Sequence, residues 1–155
     1  MSGAAVTISD SVTAAINAGS YSNSYAPTAY RRLSPNRKVN REDITSLNVL
    51  VSPLGLRATI ASLDSFSEDY RIGVFVYDNV EKSADSDNYN ETTISNLLTF
   101  CDEMQKQVIS YADDQANGIT FLGEFSSDPL YDESYMTAGI FNSITEFTFR
   151  NQKGV

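Results

Sequence analysis

Phe141-Asn142-Ser143-Ile144-Thr145-Glu146-Phe147-Thr148-Phe149-Arg150 reads as one long closing strand. A strand at the end of a small domain usually completes its main sheet. Just before it stands Asp128-Pro129-Leu130-Tyr131-Asp132, a tight acidic turn that leads into an aromatic-rich loop. Tyr131, Tyr135 and Met136 give that loop the composition of a contact surface. Nothing else in the chain reads as chemistry, so function is sought in surfaces.

Working back from the closing strand, residues 119–125 read as another strand, and residues 113–118 break the helix before it. Ile94, Leu97, Leu98, Cys101, Met104 and Val108 recur at i, i+3/i+4 spacing, which predicts a long amphipathic helix with Asn90 or Thr92 as its cap. The polar, acidic stretch 78–90 reads as an exposed loop. Tyr70, Ile72, Val74 and Val76 alternate with Arg71, Gly73, Phe75 and Tyr77, the clearest strand pattern in the chain. Residues 65–69 read as a polar turn and residues 56–62 as a strand. Leu47, Val49 and Val51 alternate with Asn48, Leu50 and Ser52 in a further strand that Pro53 ends. Residues 25–32 read as a strand in which Pro27 favours an edge or a strand start. Ile8, Val12, Ala15 and Ile16, followed by Gly19, predict a helix over residues 8–18. Runs of strands with two helices predict an α+β fold, a mostly antiparallel β-sheet with two helices packed on one face. The 155 residues favour a single domain over 1–155.

Charge and composition exclude several classes. A net charge of −9, from 11 basic and 20 acidic residues, argues against a general nucleic-acid or membrane binder, both of which need positive surface. It leaves open a passive path for DNA, where like charge prevents sticking. A single cysteine, Cys101, rules out an internal disulfide framework and suits a reducing compartment. The absence of histidine removes the commonest general base and the commonest metal ligand. The N-terminus has no basic region followed by an apolar core, and no apolar run approaches the roughly 20 residues that span a bilayer. A soluble protein made in the cytosol is expected.

Candidate chemistry reduces to a short set. Asp85-Ser86-Asp87 starts like a calcium loop, but the fifth, sixth and twelfth positions are Tyr89, Asn90 and Asn96, which breaks the pattern. Asp113-Asp114 and Asp132-Glu133 are acids of turns rather than a placed acid–base pair. Cys101 lies on the apolar stripe of the long helix and reads as a buried core thiol. There is no Gly-x-Ser-x-Gly elbow and no phosphate-cradling glycine loop. No enzyme activity, metal or cofactor is expected. One feature stands out from the background. Arg31, Arg32, Arg37, Lys38 and Arg41 lie together without an intervening acid, on a chain otherwise strongly negative. They could form a solvated loop, meet an acidic face of a neighbouring copy or another partner, or contact phosphates.

Several stretches, taken in order, resemble the tail terminator or neck proteins of tailed bacteriophages. They are Tyr30-Arg31-Arg32; Leu47-Asn48-Val49-Leu50-Val51-Ser52-Pro53; Asp69-Tyr70-Arg71-Ile72-Gly73-Val74-Phe75-Val76; the helix around residues 97–108; Asp128-Pro129-Leu130-Tyr131; and Ile144-Thr145-Glu146-Phe147-Thr148-Phe149-Arg150. The resemblance spans about residues 8–150. It departs in the acidic stretch 78–90 and in the low basic content. The resemblance implies a structural virion protein that forms a six-membered ring at the head-proximal end of the tail tube. Such a ring ends tail elongation and joins the tail to the head's connector or adaptor protein, with genomic DNA passing through its centre without sequence-specific binding. On that reading the protein sits in the virion at the head–tail junction. The expected subunit or partner surface comprises Arg31, Arg32, Arg37, Lys38 and Arg41 with Tyr131, Asp132 and Tyr135. The basic segment and an acidic stretch, 78–90 or 128–133, would be the two halves of a head-to-tail contact. The competing readings are another neck component, such as a head-completion or adaptor protein, and a small non-viral ligand-binding module.

Overall fold

The computed structural model describes residues 3–33, 46–62, 65–81, 89–111 and 119–154. Along the chain these form α1 (Ala4–Ala18), β1 (Ala29–Arg31), β2 (Asn48–Ser62), β3 (Ser65–Asn79), α2 (Glu91–Tyr111), β4 (Ile119–Ser126), α3 (Glu133–Met136) and β5 (Ile140–Gly154). The strands make one five-stranded sheet in the order β1-β2-β3-β5-β4. β1 runs parallel to β2, and every other neighbour is antiparallel. The fold is α+β, as the element order predicts. The closing strand completes the sheet from the inside, paired with β3 on one side and β4 on the other.

Alternation sets which side chains enter the core. Tyr70, Ile72, Val74 and Val76 of β3 are buried on one face, beside Val49 and Val51 of β2 and Phe141, Phe147 and Phe149 of β5. Helix α1 lays Ile8, Val12, Ala15 and Ile16 on this face, and α2 lays Leu97, Phe100, Cys101, Met104 and Val108. Both helices therefore cover the same side. Polar clamps fix their seating. Asn17 at the end of α1 bonds both main-chain groups of Ala29, accepting from its N–H at 2.7 Å and donating to its carbonyl at 3.0 Å. Gln107 of α2 donates to the Ala15 carbonyl, and Gln105 to Thr145 Oγ1. Asn90 caps α2 by accepting from the amides of Thr92 and Thr93. Tyr21 and Tyr25 set their rings edge-on to Phe100. Burial and the nearby Glu103 push the Tyr21 phenol up to about 12, so it donates to the Ile16 carbonyl and stays neutral.

The opposite face carries a smaller cluster of Leu50, Phe75, Tyr77 and Ile140, with Leu54 and Tyr135 against it. Gly73 makes room here. A Cβ at that position would come within 2.7 Å of the Leu54 side chain.

The structure corrects several boundaries. Residues 47–52 and 56–62 are not separate strands. β2 continues through Pro53 with a register irregularity between Pro53 and Gly55. Proline is tolerated because β1 pairs only with Val49 to Val51, so among the described residues β2 is an edge strand from there on. Residues 65–69 are strand rather than turn. Pairing with both β2 and β5 holds this polar segment extended where hydrophobicity gives no signal. The first helix begins at Ala4 instead of residue 8, and the strand expected over 25–32 shrinks to Ala29–Arg31. The loop before the closing strand contains a short helix, α3. Asp132 starts it by accepting from the Ser134 hydroxyl at 2.6 Å and the Ser134 amide at 2.8 Å, which together hold its carboxyl below the usual range.

Candidate assembly surface

Strand and helix lengths do not match, and that mismatch creates the most unusual surface. β2, β3 and β5 each have 15 residues, roughly 50 Å of extended chain. α1, with 15 residues, is about 22 Å long, and α2, with 21, about 31 Å. The helices cannot cover the full length of the strands. The body of the sheet is covered, and toward its distal end, an arm built from the later part of β2, the start of β3 and the end of β5, the cover recedes from β2 first: Glu68 and Asn151 are still buried where Ala58 beside them is exposed.

The pairing register places Leu56 opposite Tyr70 and Ala58 opposite Glu68, on the side that the helices cover in the body. Leu56, Ala58 and Ile60 are exposed there, Leu56 at 56% and Ile60 at 80%. Fully burying one such side chain is worth about 1.5–3 kcal/mol. The other side of the arm is charged. Arg150 grips Asp69 through two bonds, at 2.8 and 2.9 Å, and this holds the Asp69 carboxyl below its usual range. Arg71 reaches Glu146 at 3.4 Å.

At the other side of the sheet, β4 is the edge strand. Its register with β5 breaks between Phe121 and Phe125, where Gly123 adopts φ +84°, a conformation that favours glycine. Phe125 is 42% exposed and stacks on Phe147. Beside it an open notch of about 390 Å³ is lined by Gly123, Glu124, Phe125, Ser126, Glu146 and Thr148. A second open groove, of about 620 Å³, lies between the segment before β1 and the start of β2. Asp78 lines it, its carboxyl raised by burial, and Tyr25 lines it too.

The described residues among those singled out in the sequence lie at separate places on this frame. Arg31 lies on β1 and meets Asp10 of α1 at 3.4 Å. Arg32 follows, with its amide donating to the Val51 carbonyl. Arg37, Lys38 and Arg41 lie outside the described residues, as do Asp85, Asp87, Asp113 and Asp114. Tyr131 is half-buried against Phe141, and Tyr135 is half-buried against the smaller cluster. Asp132 caps α3 between them. The exposed apolar residue of that loop is Leu130. Cys101 is buried, as its helical position predicts, and burial pushes its thiol up to about 11. Leu56, Ile60 and Phe125 were missed. Their alternation was visible, but the exposure follows only once β2 is recognised as a single strand that outruns the helices.

Among the described residues no group of three or more Cys, Asp or Glu side chains is arranged to hold a metal ion, and no helix is long and apolar enough to cross a membrane. No protein-family model matches the chain, and no curated protein is significantly similar to it.

Proposed function

We propose that this protein is a structural subunit of a bacteriophage neck. Copies assemble as a ring, six-membered on the resemblance noted above, that caps the head-proximal end of the tail tube. The ring ends tail elongation and joins the tail to the head connector. The observation that carries this reading is the arm. A chain that extends three paired strands beyond its own helices, with Leu56 and Ile60 bare on the end, is shaped to be completed by another protein surface. The sequence supports it with ordered stretches that resemble tail terminators and with a composition poor in catalytic groups. The net charge of −9 per copy suits a channel wall from which DNA phosphates are repelled, so that the genome slides without sticking.

Gold-conjugated antibody on intact virions, viewed by electron microscopy, tests the reading. Label confined to the head–tail junction is the expected result. Unlabelled intact particles, with an epitope reachable in disrupted ones, would remove the neck role. Binding to purified tail tubes then separates a terminator from an adaptor, which would bind the portal side instead.

A further inference from the structure

We infer that the distal edge of β2, which no other described strand pairs, adds antiparallel in one copy to the outer edge of β4 in the next. The inference rests on the ring reading only for closure into a ring; the contact itself follows from the sheet.

Register across the sheet puts the two edges at one height. Leu56 pairs with Tyr70, Tyr70 with Phe149, and Phe149 with Phe121. The four side chains therefore form one row, on the face that the helices cover in the body. The uncovered part of β2 and the start of β4 bound this row at opposite sides. β2 and β5 run the same way, and β4 runs against both. A copy rotated about an axis along the strands thus brings its β2 edge to β4 in antiparallel sense, at matching height and with matching faces. Leu56 would continue the row beside the neighbour's Phe121, and Ala58 would come level with its Ile119.

Charge selects this contact over a two-fold one. The uncovered edge over 54–60 carries one charged residue, Arg57, and β4 carries one, Glu124, beside the notch that Glu146 also lines. At that height Arg57 is level with the neighbour's Thr120 and Glu124 lies further along β4, so joining β2 to β4 brings opposite charges together diagonally. Joining β2 to β2, or β4 to β4, sets like charges together, which disfavours antiparallel pairing. Two different edges that meet head to tail generate a ring when the rotation closes.

Cross-linking of the full chain with a short bis-maleimide tests this. Thr59→Cys and Thr120→Cys place thiols at exposed sites on the same face of the two edges. Cys101 is buried, so the wild-type chain should not react. A mixture of the two single variants should give a heterodimer and no larger species. The double variant should give a ladder that ends at a closed oligomer. Arg57→Glu should weaken association, read by sedimentation, by roughly twofold, the low end for a cross-strand charge pair, because Glu124 faces Arg57 only diagonally. Leu56→Asp, in the row with the neighbour's Phe121, should weaken it further. Homodimers from Thr59→Cys alone would overturn the inference in favour of two-fold pairing. Oligomers in sedimentation without heterodimer cross-links would overturn it and leave the ring reading standing on other surfaces. A chain that stays monomeric and gives no heterodimer overturns it too. The neck role fails separately, through virions without label at the junction.

Discussion

The body of the sheet and its arm are made from the same three strands, yet they are held together in different ways. In the body, Ile72, Val74, Phe147 and Phe149 are sealed beneath two helices and make a single cluster with them. In the arm, lateral hydrogen bonds and a surface ion pair hold the strands, and the apolar row Leu56, Ala58, Ile60 faces water. Side-chain burial stabilises the first region; in the second it reaches Glu68 and Asn151 but not the outer residues of β2, which backbone pairing holds. The contrast implies that substitutions in the body act on folding, whereas those in the arm act on assembly.

The strongest way to break this contrast is to cut into the body. Phe147 is fully buried between Phe121, Phe125 and Phe149. Phe147→Ala should lower unfolding free energy by about 3–5 kcal/mol, measured by urea denaturation. A loss below about 1 kcal/mol would mean that the aromatic cluster is not part of the stabilising core.

Next in size is the clamp at the seam between α1 and the sheet. Asn17 satisfies both main-chain groups of Ala29, which is itself buried. Asn17→Ala should cost about 1–3 kcal/mol, since buried main-chain polar groups lose their partner. Hydrogen exchange should show the loss first at the Ala29 amide, with the arm amides unaffected. Equal deprotection of the arm would show that the two regions unfold as one.

These two sites also show what the sequence could and could not disclose. Alternation in β3 and the helical stripe of α2 mark side chains that face a core, so the α+β class and the shared helix face were legible. Cys101 was legible for the same reason. The arm was not. Pro53 and Gly55 interrupt the pattern of β2, and Ser65 to Asp69 are polar apart from Phe66, so a continuous ribbon read as strand, loop, strand and turn. Pairing between strands far apart in sequence keeps such a segment extended, and no local signal reports that. Tyr131 and Tyr135 read from composition as part of a contact surface, and what the sequence did not report is that each ring also packs, half-buried, on the protein's own side chains.

A smaller effect sharpens the account of what holds the arm. Arg150 lowers the pKa of Asp69 in the folded state from the ordinary 3.8. The pair's stabilisation is therefore fully present above that value and is lost as pH falls through the still lower folded pKa. Asp69→Asn should lower Tm slightly at pH 7. The difference from the wild-type chain should persist to about pH 4 and close below it. A difference that stays constant down to pH 2 would show that the two hydrogen bonds, rather than the charge, support the arm.

The smallest expected effect on stability is at Ile60, and it separates the two regions most directly. This side chain is 80% exposed in a single copy. Ile60→Thr keeps a β-branched residue in the strand and removes apolar surface that the isolated fold does not bury. Its unfolding free energy should stay within about 0.5 kcal/mol of the wild-type chain, measured at a concentration where both are monomeric. At higher concentration, sedimentation should show weaker self-association for Leu56→Asp than for Ile60→Thr, because the contact with β4 sets Leu56 beside the neighbour's Phe121. A stability loss in the monomer comparable to that of a core substitution would place Ile60 inside the fold's own core and would end the distinction between body and arm.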